Sequence, residues 1–426
     1  MSKEIYNVTR GDALMLYATL MGSYTIRLKL RLDKPIDKDA LRKAADKASE
    51  RYPYLCVTLR KNEKEVYFEQ NDMPVAIINS LAGITLNSPE TNGHIWALCY
   101  EGCDLCIDFY HGRMDGTGVY FLLTTLLYYY FSEIYGELDS TGIRTLNDPV
   151  TEKETADPLD ALSVIDLSAL PKQESPSALN LIKSSGLTNY GGVGQMLKIK
   201  IPERSFIPFT KANDSSPGIM ISVFMARAID KLHPGHTDPL LSNYVVNSRP
   251  MLGNPQTFHN CTTGVTLHYD DRIGKMPLET QCTVYRGKTF VQSDEDRVRQ
   301  AMTVSGSVGK MILDLPTIEM KTQTAMQITG SFYNSSTYMV SYVGKWQYPQ
   351  LGQHIKEFWT STPVGPFPLI EIAAVNGEIF VSMMQSFSEH IYYDAFLDEL
   401  RSNNIEFTEC GAEPVITAKI SAIESM

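Results

Sequence analysis

Apolar and polar residues alternate without a break from Tyr24 to Leu32. Tyr24, Ile26, Leu28, Leu30 and Leu32 fall on one side, and Thr25, Arg27, Lys29 and Arg31 on the other. This is the period of a strand with one covered face, and the charged side reads as a solvated one. After Asp37, a natural helix cap, the period lengthens. Ala40, Leu41, Ala44, Ala45 and Ala48 form a helical stripe that Pro53 ends. Two short strands follow near 54–60 and 64–69. A further pair, 95–100 and 105–110, is joined by Glu101-Gly102 and reads as a hairpin. Leu105, Ile107, Phe109 and His111 share one parity, so His111 continues the apolar face. From Thr117 to about Tyr135 the pattern is helical again, with Val119, Leu122, Leu123, Leu126, Tyr130 and Phe131 in one stripe.

Residues 138–192 lose this periodicity. They are rich in Asp, Ser, Thr, Pro and Gly, end on Tyr190-Gly191-Gly192, and read as a crossover with at most short helices. A strand near 195–201 opens the second half. Ser216-Pro217 starts a helix that runs to about Leu232 and stops at His233-Pro234-Gly235. Strands are predicted at 240–247, 263–269 and 337–343, and helices at about 277–288 and 294–312. Asn376-Gly377 between the apolar runs 369–375 and 379–384 marks a tight hairpin, and a last helix covers 391–403. No internal repeat is present. The pattern predicts an α/β (mixed α+β) fold: a first lobe over 1–165, a crossover over 166–192 and a second lobe over 193–426.

Composition narrows the function classes. The chain has 426 residues, 43% of them hydrophobic and 20% charged, the profile of an ordinary globular protein. A net charge of −11 without a basic stripe excludes nucleic acid as a partner. The apolar run Val119 to Phe131 is too short to span a bilayer, which takes about 20 residues. The first residues lack the basic-then-apolar layout of a signal peptide. Seven cysteines, an odd number scattered over a large chain, read as free thiols of a reducing compartment, so a cytoplasmic location is expected. Cys103 and Cys106 stand at a turn with no second pair, which argues against zinc. Five further histidines, His233, His236, His259, His268 and His390, have no metal-like spacing and read as loop, packing or cap residues. Met311, Met320, Met326, Met339, Met383 and Met384 read as core fillers.

The candidate chemistry lies in His111-Gly112-Arg113-Met114-Asp115-Gly116. It places a histidine at the end of an apolar strand and an Asp-Gly pair at the start of a long helix. Histidine takes and returns a proton near neutral pH, and a strand end holds it still at a cleft. Gly112 lets the backbone turn or a ligand approach, and Gly116 permits an unusual backbone angle. Asp115 can cap the helix or pair with a buried arginine. The plainer alternative is a core histidine followed by an ordinary cap.

The string resembles the H-x-x-x-D-G signature of the CoA-dependent acyltransferase superfamily, which includes chloramphenicol acetyltransferase, plant acyltransferases, alcohol acetyltransferases and condensation domains. Other segments are similar in the same order: Pro35-Ile36-Asp37, Arg51-Tyr52-Pro53-Tyr54-Leu55, Asn247-Ser248-Arg249-Pro250 and, weakly, Ser341-Tyr342-Val343-Gly344. The resemblance implies two chloramphenicol-acetyltransferase-like lobes enclosing a tunnel, with His111 near its middle as general base. It implies a structural Asp115 paired with an arginine, for which Arg249 is the candidate. A backbone amide near Gly116, Asn247 or Ser341 are the candidates for holding the oxyanion. Acyl-CoA or an acyl carrier thioester is the implied co-substrate and a small molecule the acceptor. No bound cofactor and no metal are called for. Condensation domains carry two histidines in a row; here Tyr110 takes the first place, which favours ester formation. The D-F-G-W-G segment of the plant enzymes is absent. The alternatives are a free-standing condensation-type enzyme served by a carrier protein, and a catalytically silent binding relative.

Overall fold

The structure is a computed structural model that describes residues 3–20, 24–171, 177–187 and 194–421. Helix α1 (Arg10–Thr19), capped by the Thr9 hydroxyl, precedes strand β1 (Thr25–Leu32). The alanine stripe forms α2 (Lys38–Arg51), whose first N–H groups at Asp39 and Ala40 donate to the Asp37 carboxylate. Strands β2 (Val57–Lys61) and β3 (Val66–Gln70) pair with each other, and β4 (Trp96–Glu101) and β5 (Asp104–Tyr110) form the hairpin. Helix α3 (Gly116–Tyr135) completes the first half. The second half runs β6 (Gln195–Pro202), α4 (Glu203–Ala212), α5 (Pro217–Leu232), β7 (Leu240–Asn247), β8 (Thr262–Tyr269), α6 (Leu278–Gln292), α7 (Glu295–Asp314) and α8 (Ile318–Asn334). It ends in β9 (Tyr338–Lys345), β10 (Ile355–Ser361), β11 (Leu369–Val375), β12 (Glu378–Gln385), α9 (Ile391–Ser402) and β13 (Thr408–Pro414).

Two large sheets organise the molecule. One has seven strands in the order β8-β7-β9-β11-β12-β6-β13. The other has five, in the order β10-β1-β5-β4 and then the short strand Ile77–Ile78. Strand β10 comes from the second half of the chain yet lies antiparallel to β1, with Phe358 opposite Leu30. Lys419–Ile420 likewise joins Thr85–Leu86. The borrowed strand covers an edge that β1 would otherwise leave unpaired, and it ties the halves together with backbone hydrogen bonds. Helix α2 packs on α3 over the five-stranded sheet, and α5 and α9 cover one face of the seven-stranded one. Strand β11 separates the two cores by parity: Ile370, Ile372 and Ala374 face the second, while Ala373 and Val375 belong to the first.

Several expectations are corrected. Arg27 does not lie on a solvated face: it is buried and paired with Asp108 at 2.8 and 2.7 Å, and it donates to the carbonyl of Ala82 at 3.1 Å. Strand β1 is interior to its sheet, and the loop through Leu81 and Ala82 closes over that side. Met383 and Met384 are core residues, but Met311, Met320 and Met326 are exposed, because α7 and α8 lie on the outside of the molecule. Helices α1, α4 and α8 and strands β10 and β13 appear where no element was predicted. Within 138–192 the described residues form only short helical turns at Glu152–Thr155, Leu167–Ala169 and Leu181–Ser185; Tyr190-Gly191-Gly192 lies outside the described residues. Glu154 of this crossover is buried against Arg51 at 3.0 and 2.9 Å and accepts from the Tyr54 hydroxyl at 2.8 Å. No helix among the described residues is long and apolar enough to cross a membrane.

Candidate active site

His111 directly follows β5, and its backbone N–H donates to the Tyr24 carbonyl at 3.0 Å. Its Nδ1 lies 3.0 Å from the Met114 carbonyl oxygen. A carbonyl only accepts, so Nδ1 carries the hydrogen and Nε2 presents its lone pair. The ring packs on Tyr24 with centroids 5.5 Å apart. His111 is part-buried and retains accessible surface. Burial pushes the imidazole below its ordinary range, against the pull of Asp115.

Asp115 does two jobs. As the N-cap of α3 it accepts the Gly118 N–H at 2.9 Å. It also receives Arg249 through both oxygens at 2.9 and 2.7 Å, and the Cys261 N–H at 2.9 Å. Arg249 is buried, and its remaining donors reach Thr257 O at 2.9 Å, His259 O at 2.7 Å and Asn247 Oδ1 at 3.3 Å. Every N–H of the guanidinium thus has an acceptor. The interaction joins the loop after β5 to the loop between β7 and β8, so it fixes the two halves of the chain at the histidine.

A second carboxylate repeats the grip. Asp12 of α1 is buried, pairs with His259 Nδ1, and accepts from the Asn260 backbone and side chain at 3.1 and 3.0 Å. Asn260 Nδ2 also donates to the His111 carbonyl at 3.1 Å. Burial opposes charge on Asp12, but His259 and its other partners outweigh it and hold the carboxyl below its ordinary range. Arg113 is the third support. Its guanidinium lies 4.4 Å from the Phe68 ring centre and 4.8 Å from that of Phe258, and burial pushes it down to about 10.

The other candidates divide. Asn247 is exposed, and its side-chain oxygen accepts from the Arg249 backbone at 3.1 Å, so that oxygen serves the arginine loop. Ser341 hydrogen-bonds the carboxyl of Glu371. Gly116 opens α3, where first-turn N–H groups lack internal partners, and a side chain there would press on Val343. Tyr110 points away from His111 into α1, donating to Leu16 O at 3.1 Å. Its ring fills the space a Gly112 side chain would need. Sequence reasoning passed over Asp12, Gly118 and Asn260, which sit in no motif, and read His259 only as a surface or packing residue. It also passed over Glu371, although a lone acid inside the apolar run 369–375 is a visible signal.

Gly118 is where α3 touches the arginine loop: a Cβ would overlap the Phe258 carbonyl. Backbone cannot give way as a side-chain tip can. Gly118→Ala is expected to displace the 257–261 loop and lower stability by about 1–3 kcal/mol, read as an earlier urea midpoint.

No family model and no curated protein sequence matches the chain. Solved structures do. TRI101 of F. sporotrichioides, complexed with coenzyme A and T-2, superposes with a TM-score of 0.62 at 12% identity, covering 96% of this chain and 100% of that one. The two-lobed architecture is therefore the chloramphenicol-acetyltransferase-like fold. Polyketide synthase associated protein 5 of Mycobacterium tuberculosis has this fold too (TM-score 0.59, 11% identity, 93% and 97% covered). So does the epimerization domain from the third module of tyrocidine synthetase B (TM-score 0.58, 11% identity, 95% and 96% covered). Identity at this level speaks for the fold alone, so function has to be argued from the site.

Proposed function

We propose that the protein is an acyltransferase that moves an acyl group from a thioester, acyl-CoA, to the hydroxyl of a small-molecule acceptor. The observation that carries this reading is the 3.0 Å contact of His111 Nδ1 with the Met114 carbonyl. The imidazole Nδ1–H is held by Met114 O, so Nε2 is the proton-accepting atom. Nε2 takes the acceptor's proton as the oxygen attacks the thioester carbonyl. The tetrahedral oxyanion then collapses, the carbon–sulfur bond breaks, and the imidazolium returns its proton to the departing thiolate. First-turn N–H groups of α3 at Gly116 are the preferred oxyanion donors, since they lack partners inside the helix and the Ser341 hydroxyl is engaged by Glu371. Asp115 and Arg249 position the loop and touch no substrate. The CoA complex of TRI101 supports a CoA donor, and Tyr110 in place of a first histidine supports ester over amide formation.

The test is thiol release from a panel of acyl-CoAs with and without alcohols, in wild type and His111→Ala. Acceptor-dependent release that the substitution abolishes is expected. Equal release by both proteins would overturn the reading. Turnover with a loaded carrier protein but no acyl-CoA would replace the donor, and no turnover beside intact ligand binding would mark a silent relative.

The pH profile gives a second check. Catalysis needs neutral imidazole, and burial lowers its proton affinity in the folded protein. The acid limb of kcat/KM is therefore expected below about 6.5, the free imidazole value. The same shift costs stability in acid. The unfolded chain protonates first, so stability falls as pH drops below about 6.5 toward the folded-state value.

A further inference from the structure

Glu371 is an acid in the middle of β11, a strand buried along its whole length. Parity sends its side chain to the face shared with Ala373 and Val375, which meets the first lobe. On that face Ser341 of β9 and Ser382 of β12 stand directly opposite it in register, and Lys198 of β6 stands opposite Ser382. Four polar residues thus cross four adjacent strands in one row. Lys198 is committed elsewhere: it meets Glu413 at 2.8 Å and the face of Trp359. Among the described residues the Ser341 hydroxyl holds the Glu371 carboxyl and no lysine, arginine or histidine pairs with it. From the first lobe, the phenols of Tyr24 and Tyr120 lie near enough to feel that charge. Tyr24 also packs on the His111 ring, with centroids 5.5 Å apart, so one tyrosine lies near both the acid and the histidine.

A buried carboxyl without a cation is costly to ionise. Burial accordingly pushes Glu371 up to about 8, so at pH 7 it is largely the neutral acid. The nearby phenols are also pushed up by burial, Tyr24 and Tyr120 strongly, Tyr342 to about 12, and Tyr333 in the same direction. None of them ionises near neutrality. The group that completes this site is a cation brought by a ligand, which can pair with the carboxylate and lie against tyrosine faces. We propose that Glu371, with Tyr24 and Tyr120, binds an ammonium group of the acyl acceptor while His111 meets the acceptor's hydroxyl. Naming the ligand as the acceptor rests on the acyl-transfer reading; the ammonium site itself does not. On binding, the neutral acid releases one proton to solvent and an ion pair forms with the ligand's R3NH⁺.

The probes are dimethylamino alkanols of graded chain length and the branched alkanols of the same skeleton, in which a CH replaces the nitrogen. A tertiary amine is not itself a lasting acyl acceptor, so only the hydroxyl competes for acylation. Calorimetry on wild type and His111→Ala, in two buffers of different ionisation enthalpy, is expected to show the amine bound about 10- to 100-fold more tightly than its isostere, with release approaching one proton at pH 7. In Glu371→Gln, which keeps the shape and the Ser341 contact, the preference and the proton release both disappear while the thermal midpoint is retained. The proton count needs no variant, so it stands even if Glu371→Gln folds poorly. Equal affinity for the two series, absence of amine binding, or a preference that survives Glu371→Gln overturns the proposal. Amine binding with no acyl transfer to any alcohol would sink the acyltransferase reading and leave this site standing.

Discussion

Replacing His111 by alanine is expected to lower kcat for thiol release about 10²- to 10⁴-fold, the range of a lost general base, with a much smaller change in KM. The size follows from what the ring does. The ring is held through Nδ1 by Met114 O, and it packs on Tyr24. Truncation removes Nε2 and leaves the clamp around Asp115 and Arg249 intact. The thermal midpoint is therefore expected to move little. His111→Asn separates the two functions of the ring: the amide can still donate toward Met114 O but cannot act as a base, so its rate is expected to match alanine's. A rate near wild type in either variant would show that the proton leaves by another path.

The second large effect is on stability. Asp115 and Arg249 form a pair sealed from solvent, with side chains 3% and 1% exposed. Removing one partner leaves an uncompensated buried charge, which costs about 3–5 kcal/mol. Arg249→Met and Asp115→Ala are each expected to lose that much, a large share of the about 5–15 kcal/mol that holds a domain folded. Arg249→Lys is expected to fall well short of rescue. A lysine has three donors on one atom, and here five donors in a planar fork reach two carboxylate oxygens, two carbonyls and Asn247. The combined Asp115→Ala, Arg249→Met variant removes both charges and is expected to be less damaged than the sum of its parts. Urea unfolding of the four variants checks this, and strict additivity would show that the pair does not act as a unit.

Much of the fold was legible because many elements carry one clear period. The strands at 240–247 and 369–375 and the helix after Asp115 stand where the pattern put them. Periodicity failed where an element is buried on both sides or has a weak stripe. Helix α8 buries Lys321 and Thr322 and exposes Met320 and Met326, the reverse of an ordinary amphipathic helix. Strand β10 escaped notice because its partner, β1, is more than 300 residues away in the chain, and no local pattern announces such a pairing. Arg27 misled for a related reason: alternation says which residues share a side, and only the neighbouring loop decides whether that side is wet.

The candidate site divides in the same way. The residues from His111 to Gly116 are contiguous, and their order alone places a histidine at a strand end and a carboxylate at a helix start. That much the chain determined by itself, because strand and helix geometry act over a few residues. The grip of Asp12 on the 257–261 loop, the approach of Gly118 to Phe258 and the meeting of Glu371 with Tyr24 and Tyr120 arise between segments more than a hundred residues apart. They depend on distances of a few ångströms across packed surfaces. Only folding brings those surfaces together, so only the tertiary structure could decide them.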